Sequence, residues 1–288
     1  MFTYSAPTSI EEVLAALSEW GSRARILAGG QTLLPLIHSG RLSPEHLVDI
    51  NGVRNLDFVD LRDDLTVGAC CRQHDLEFFL RTRERHSLIA QALPLIADNE
   101  IRNRGTICGS LVAAPLGAEL PAIALTYNAN LSIRSKRGDR EISAASLYRN
   151  DGTVTLEPDE ILTSVVFPDS NHSGAAIEEI RYTQLSFPAC GAAVLVDAQD
   201  GVCSSLRLTV FGQGIPAQRM DQAESFVTGE KLSNRLLDEL AARIRKEVRA
   251  GSVPGVPADY ARQVAGSLGA RAFKRALVQC DELTAKVQ

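Results

Sequence analysis

Two short glycine-bearing turns constrain this chain more than any other feature. They are Ala28-Gly29-Gly30-Gln31-Thr32-Leu33-Leu34-Pro35 and, roughly 75 residues later, Asn103-Arg104-Gly105-Thr106-Ile107-Cys108-Gly109-Ser110. Arg25-Ile26-Leu27-Ala28 reads as a short buried strand, and the glycines after it remove Cβ where a chain leaving a sheet must bend sharply or let a ligand approach. A turn whose successive backbone N–H groups face outward forms a small anion-binding concavity without needing a lysine. Hydrogen bonds to a charged partner contribute roughly 1.5–3 kcal/mol each, so several of them from two turns would hold a diphosphate firmly. Thr32, Thr106 and Ser110 can add hydroxyl donors. A branched side chain at Gly30 is expected to press on such a diphosphate. Neither turn has the G-x-G-x-x-G pattern that opens a dinucleotide-binding helix, and the chain contains no G-x-x-x-x-G-K-S/T phosphate loop.

What surrounds the turns narrows the function further. The formal net charge of −5 argues against nucleic acid as a partner, which requires a concentrated positive surface. The most basic run, Arg243 to Arg249, follows a helical pattern and reads as a solvated or subunit-facing side. No apolar stretch approaches the roughly 20 residues of a membrane span, and the N-terminus has no basic region followed by an apolar core, so a cytoplasmic protein is expected. The six cysteines, at 70, 71, 108, 190, 203 and 280, have no C-x-x-C spacing, and the five histidines (His38, His46, His74, His86 and His172) are dispersed. No metal site is expected. With no G-x-S-x-G elbow either, the chain offers no acid–base or nucleophilic machinery of its own, which suits a protein whose chemistry resides in a bound cofactor.

Periodicity gives the organisation. Ser9-Ile10-Glu11-Glu12 is a capping box, and Ile10, Val13, Leu14 and Leu17 then share one helical face. Leu47 to Ile50 and Leu65 to Ala69 read as strands, and a helical region from about Asp75 to Asp98 leads into the second turn. A helix begins after Glu119 with Pro121 in its first turn, and a hairpin follows about the Lys136 to Asp139 turn. The polar run Asp169-Ser170-Asn171-His172-Ser173-Gly174 is the expected linker between domains. Beyond it, Ala192 to Val196 and Leu206 to Val210 read as sheet. Two helices close the chain, with Leu237, Leu240, Ile244 and Val248 on one face of the first. With 45% hydrophobic residues in 288, the chain can fill two or three domains of α+β type.

The two turns, together with Ile101-Arg102 and Leu111 around the second and with Ala118-Glu119-Leu120-Pro121, resemble the FAD-binding medium subunit of the molybdenum hydroxylases. That family includes carbon monoxide dehydrogenase, and its flavin domain is similar to the central domain of xanthine dehydrogenase. The resemblance runs from Phe2-Thr3-Tyr4 through Leu47-Val48-Asp49-Ile50-Asn51 and Pro158 to Leu162, and ends in a helical segment around Ala258 to Ala272. It implies a two-subdomain FAD-binding domain of the vanillyl-alcohol-oxidase type over 1–170, divided near 55. A C-terminal α+β domain over 175–288 would follow, with a three-stranded sheet and helices.

Carried over by position, the diphosphate contacts fall on Leu27, Ala28, Gly29, Gly30, Gln31, Thr32 and Leu33 and on Thr106, Ile107, Cys108, Gly109 and Ser110. The acidic residue near the flavin's sugar or ribityl region falls on Glu119. Apolar contacts fall on Ile96 and Leu162, and Arg181 opens a segment to Phe187 near the isoalloxazine. No residue of the chain has a catalytic role in this reading. The resemblance implies an oxidoreductase subunit whose FAD collects electrons for an external acceptor. A small partner would carry two 2Fe-2S clusters, a large partner the molybdopterin-type molybdenum cofactor, and the assembly would be a dimer of heterotrimers. The chain departs from the family at Cys108, where a glycine is usual, and at Ala113-Ala114-Pro115-Leu116, where relatives carry His-Ala-Asp-Pro. The alternatives are a scaffold subunit whose flavin site has decayed and a stand-alone FAD oxidoreductase. Reverting Cys108→Gly is expected to leave flavin binding equal or tighter.

Overall fold

The computed structural model describes residues 2–83, 86–170 and 173–287, the last seven by backbone alone. Asn171 and His172, in the expected linker, lie outside the described residues. The first sheet holds three parallel strands, β1 (Thr3–Ser5), β2 (Ala24–Leu27) and β3 (His46–Asp49), in the order β1-β3-β2. Its connections carry α1 (Ile10–Trp20) and α2 (Leu33–His38). The capping box works at the start of α1: Ser9 Oγ accepts from the Glu12 amide at 3.3 Å, and Glu12 Oε2 accepts from the Thr8 amide at 2.8 Å. Val13, Leu14 and Leu17 are then buried.

The second sheet is antiparallel, with β4 (Val59–Leu61), β5 (Leu65–Gly68), β6 (Asn130–Ser135), β7 (Gly138–Ser143) and β8 (Ile161–Phe167) in the order β4-β5-β8-β6-β7. Between β5 and β6 run α3 (Gln73–Leu80), α4 (Ser87–Ala92), α5 (Asn99–Arg102), α6 (Ile107–Ala113) and α7 (Glu119–Tyr127), and α8 (Ala144–Leu147) follows β7. The single helical region expected from Asp75 to Asp98 is therefore two helices. Leu80, the last residue of α3, and Leu88, in the first turn of α4, are both buried.

The third sheet is a meander of β9 (Gly174–Ile180), β10 (Cys190–Gln199), β11 (Val202–Gly212) and β12 (Ile215–Arg219), in the order β12-β11-β10-β9. Helices α9 (Asp221–Val227), α10 (Asn234–Glu247) and α11 (Ala258–Val287) follow. Four strands replace the three expected. The fourth, β12, contains Pro216 and Gln218 and gives no alternating signal; as an edge strand it tolerates the proline.

β10 is buried on both faces and shows the period of two directly. Ala192, Val194 and Val196 join the core built with α10 and α11, while Ala193 and Leu195 join the larger core of the first two sheets. Helix α11 lies so close on β9 that a Cβ at Gly174 would stand 1.8 Å from the Ala276 carbonyl oxygen. The described ends of the expected linker are packed in the same way: Ser170 and Ser173 are buried, and Ser173 Oγ donates to Asp197 at 2.5 Å.

Candidate functional site

The two glycine turns meet backbone to backbone. β2 ends at Leu27, the first turn leads into α2, and the second leads into α6. A Cβ on Gly29 would stand 2.2 Å from the Arg104 carbonyl oxygen and 2.9 Å from Gly105 Cα, so Gly29 is required by the contact between the turns. Gly30 has φ +72°, and a Cβ there would meet Leu34 at 2.9 Å and Leu27 at 3.2 Å. A side chain at Gly30 would therefore strain the turn itself.

Beside this junction lies a cavity of about 490 Å³, within the roughly 300–1,000 Å³ usual for cofactor sites. Its wall takes Ala28 to Leu33 from the first turn and Thr106, Cys108, Gly109 and Ser110 from the second. Leu17, Ile26 and Ile50 add apolar surface, as do Val154, Leu156 and Leu162 from the segment before and within β8. The wall also carries two carboxylates, Glu157 and Glu160. Arg140 grips Glu160 with two hydrogen bonds of 2.8 and 2.7 Å, which holds its carboxyl below the usual range and offsets its charge beside the cavity.

The first turn is rich in unused donors. Among the described residues, the backbone N–H groups of Gly29, Gly30, Gln31, Thr32 and Leu33 have no protein acceptor. Five consecutive amides on a cavity wall are the donor set a diphosphate needs, so the residues present fit an FAD diphosphate here. The second turn is different. Its Gly105 amide donates to Ile101 O at 2.7 Å, Ile107 to Cys71 O at 3.2 Å and Gly109 to Thr106 Oγ1 at 3.1 Å, which leaves Thr106 and Cys108. Thr106 is the N-cap of α6, and a Cβ at Gly109 would stand 2.5 Å from its hydroxyl oxygen. Ser110 Oγ accepts from Gln73 Nε2 at 2.8 Å, and its own hydrogen remains available to a ligand.

Cys108 does not fill the cradle. Its side chain is buried with the core, the thiol aimed at the Val67 carbonyl at 4.0 Å, and burial raises its pKa far above the ordinary thiol value. The Cys108 side chain thus turns inward, while the residue still forms part of the cavity wall.

Five other expected contacts stand off the cavity wall. Leu27 closes β2, Ile96 packs half-buried against the larger core, and Ile107 is fully buried in it. Glu119 and Arg181 are brought together elsewhere, beyond the far end of α6. Glu119, 3% exposed at the start of α7, accepts from Arg181 Nη2 at 2.6 Å. Arg181 Nε donates to Glu179 at 2.6 Å, and its Nη1 donates to the carbonyls of Gln184 and Ser186, so this arginine ties the β9–β10 loop to α7. One guanidinium faces two carboxylates, Glu119 buried and Glu179 half-buried. Burial pushes the Glu119 carboxyl up to about 7 against the opposing pull of Arg181, and burial raises Glu179 as well. The same loop exposes Tyr182, Leu185 and Phe187.

Sequence reasoning assigned no role to Asn51, Arg72 or Gln73, all of which touch the turns. Asn51 was within reach, since it follows a strand that pairs with β2; Arg72 and Gln73 lie after β5, with nothing local to mark them.

Comparison with known proteins fits this geometry. The family described as the FAD binding domain in molybdopterin dehydrogenase matches residues 1–170, and the CO dehydrogenase flavoprotein C-terminal domain matches 175–276. The chain is 34% identical to the alpha subunit of the 6-hydroxypseudooxynicotine dehydrogenase complex of Paenarthrobacter nicotinovorans, over 96% of this chain and 94% of that one. It superimposes on a chain of carbon monoxide dehydrogenase from Hydrogenophaga pseudoflava with a TM-score of 0.92 at 29% identity, covering 97% of this chain and 98% of the other. Quinoline 2-oxidoreductase from Pseudomonas putida 86 gives 0.91 at 27% identity, with the same coverage.

Proposed function

Since this chain belongs to the family of FAD-binding subunits of the molybdenum hydroxylases, which are oxidoreductases, we propose that it is the electron-transfer flavoprotein of such a complex. In this reading it passes electrons from the 2Fe-2S clusters of a small partner to an external acceptor. A large partner holds the molybdenum cofactor and oxidises the substrate. The assembly is a dimer of heterotrimers in the cytoplasm; among the described residues, no helix is long and apolar enough to cross a membrane. The FAD-binding part spans 1–170, in two pieces meeting near 55, and the second part spans 175–288.

When bound, FAD supplies chemistry that can accept electrons singly and release them in pairs. The chain's own residues hold and shield it. The amides of Gly29 to Leu33 and the Ser110 hydroxyl take the diphosphate, while Leu17, Ile26 and Leu162 exclude water beside it. The Glu119–Arg181 pair, at the start of α7, fixes the loop carrying Tyr182 and Phe187 and would support the site from outside the cavity wall.

The observation carrying this reading is the run of five unpartnered amides on the cavity wall. Cys108, one of the two motives for a decayed site beside the missing His-Ala-Asp-Pro, is turned into the core and gives that alternative no support. The test is to purify the full chain, denature it and identify the released flavin. FAD in stoichiometric amount is expected; a chain that stays flavin-free after reconstitution with FAD contradicts the reading. Co-purification with a large and a small subunit then separates the complex from a stand-alone enzyme.

A further inference from the structure

The amides of the first turn are aimed by whatever holds the carbonyls behind them. A trans peptide is planar, so its C=O and N–H point in opposite directions. Ala28 O accepts from Asn51 Nδ2 at 3.0 Å, and the Gly29 N–H of the same peptide therefore leaves on the opposite side. Across the junction, the Arg104 carbonyl on which Gly29 packs accepts from Arg72 Nη1 at 2.6 Å. Arg72 Nη2 donates in turn to Asn51 Oδ1 at 2.6 Å. Two side chains thus bridge the turns, one end on each. Asp49 Oδ1 anchors the bridge by accepting from Asn51 Nδ2 at 2.6 Å, and Tyr4 of β1 donates to Asp49 Oδ2 at 2.6 Å.

We propose that Asn51 and Arg72 are positioning residues for diphosphate recognition, setting the spacing of the two turns and the direction of the donor run. The inference rests on the diphosphate reading above. Neither residue lines the cavity, so each acts through the backbone it holds. The residue types fit the task. An amide side chain donates to a carbonyl through its nitrogen while accepting from a guanidinium through its oxygen, and a guanidinium presents its donors to two oxygens in a fixed fork. A cradle held in place before binding loses less order when the ligand arrives.

The test is to titrate FAD, and separately riboflavin, which lacks the diphosphate, into the full-length flavin-free chain. Wild type, Asn51→Asp and Arg72→Lys are compared, with the melting temperature of each flavin-free form. Asn51→Asp removes the donor to Ala28, and Arg72→Lys keeps the charge without the fork. Both variants are expected to bind FAD at least about tenfold more weakly, to bind riboflavin within about twofold of wild type, and to melt within about 4 °C of it. The proposal is overturned if FAD affinity is unchanged in both, if the two flavins weaken together, or if Arg72→Lys matches wild type, which would leave charge as the cause. A wild type that binds no FAD would instead remove the diphosphate reading itself.

Discussion

The two glycine turns look alike in sequence, each pairing glycines with hydroxyl residues, yet they differ in what they do with their donors. The first leaves five amides without a protein acceptor, whereas the second leaves two and turns a third onto its own Thr106 hydroxyl. Its cysteine faces the core, and its threonine caps a helix. The first turn is therefore built around something outside the protein, and the second mainly around the protein itself. A glycine can be required by a ligand, by a cap or by a neighbouring backbone, and only the accounting of hydrogen bonds distinguishes these.

The largest effect should come where the turns touch. Gly29→Val places its Cβ on the Arg104 carbonyl and should cost about 3 kcal/mol, the upper end for overpacking, with loss of flavin. Urea unfolding measures it, and near-wild-type stability would break the picture of two turns in backbone contact.

Next comes a control on pH, since the only titratable side chain in either turn on the cavity wall is a thiol that burial keeps neutral. Glu119 binds its proton more tightly folded than unfolded, with a pKa raised from 4.5 to about 7. The native state then holds more protons than the unfolded state between those values, so the contribution of this group falls as pH rises from about 4.5 to about 7. The fall is on the order of 3 kcal/mol at most. Urea midpoints at about pH 5 and about pH 8 should show it in wild type and not in Glu119→Gln; equal slopes would refute the assignment to Glu119.

Smaller effects separate the turns directly. Cys108→Gly removes a buried side chain and places glycine in a helix, which should cost about 1–2 kcal/mol in the flavin-free chain while FAD affinity stays equal or tightens. Thr106→Ala should cost about 1 kcal/mol through the lost cap. Thr32→Ala, at an exposed position, should change flavin-free stability by less than about 0.5 kcal/mol. Calorimetry of the flavin-free variants checks all three, and a Thr32 effect as large as that of Thr106 would erase the distinction drawn between the turns.

Much of the architecture was legible because it rests on local signals. The capping box located α1, the Pro121 region located α7, and alternation located the β6–β7 hairpin, each at the expected place. The fourth strand of the last sheet was not, since Ile215-Pro216-Ala217-Gln218-Arg219 neither alternates nor avoids proline. At the site, the sequence marked both glycine turns but not which of them leaves its amides without a protein acceptor, since that depends on contacts made across the fold. The inward rotation of Cys108 could not be read either, because it depends on space beneath Val67. Glu119 and Arg181 were each singled out, but their pairing joins residues 62 apart through a loop closure that no local pattern encodes.

The claim that the first turn holds the diphosphate is tested most directly by amide hydrogen exchange on the full chain with and without FAD. The account predicts strong slowing across Gly29 to Leu33 on FAD addition and little change at Gly109, whose amide already has an acceptor. Unchanged exchange across Gly29 to Leu33 in a chain saturated with FAD would contradict it.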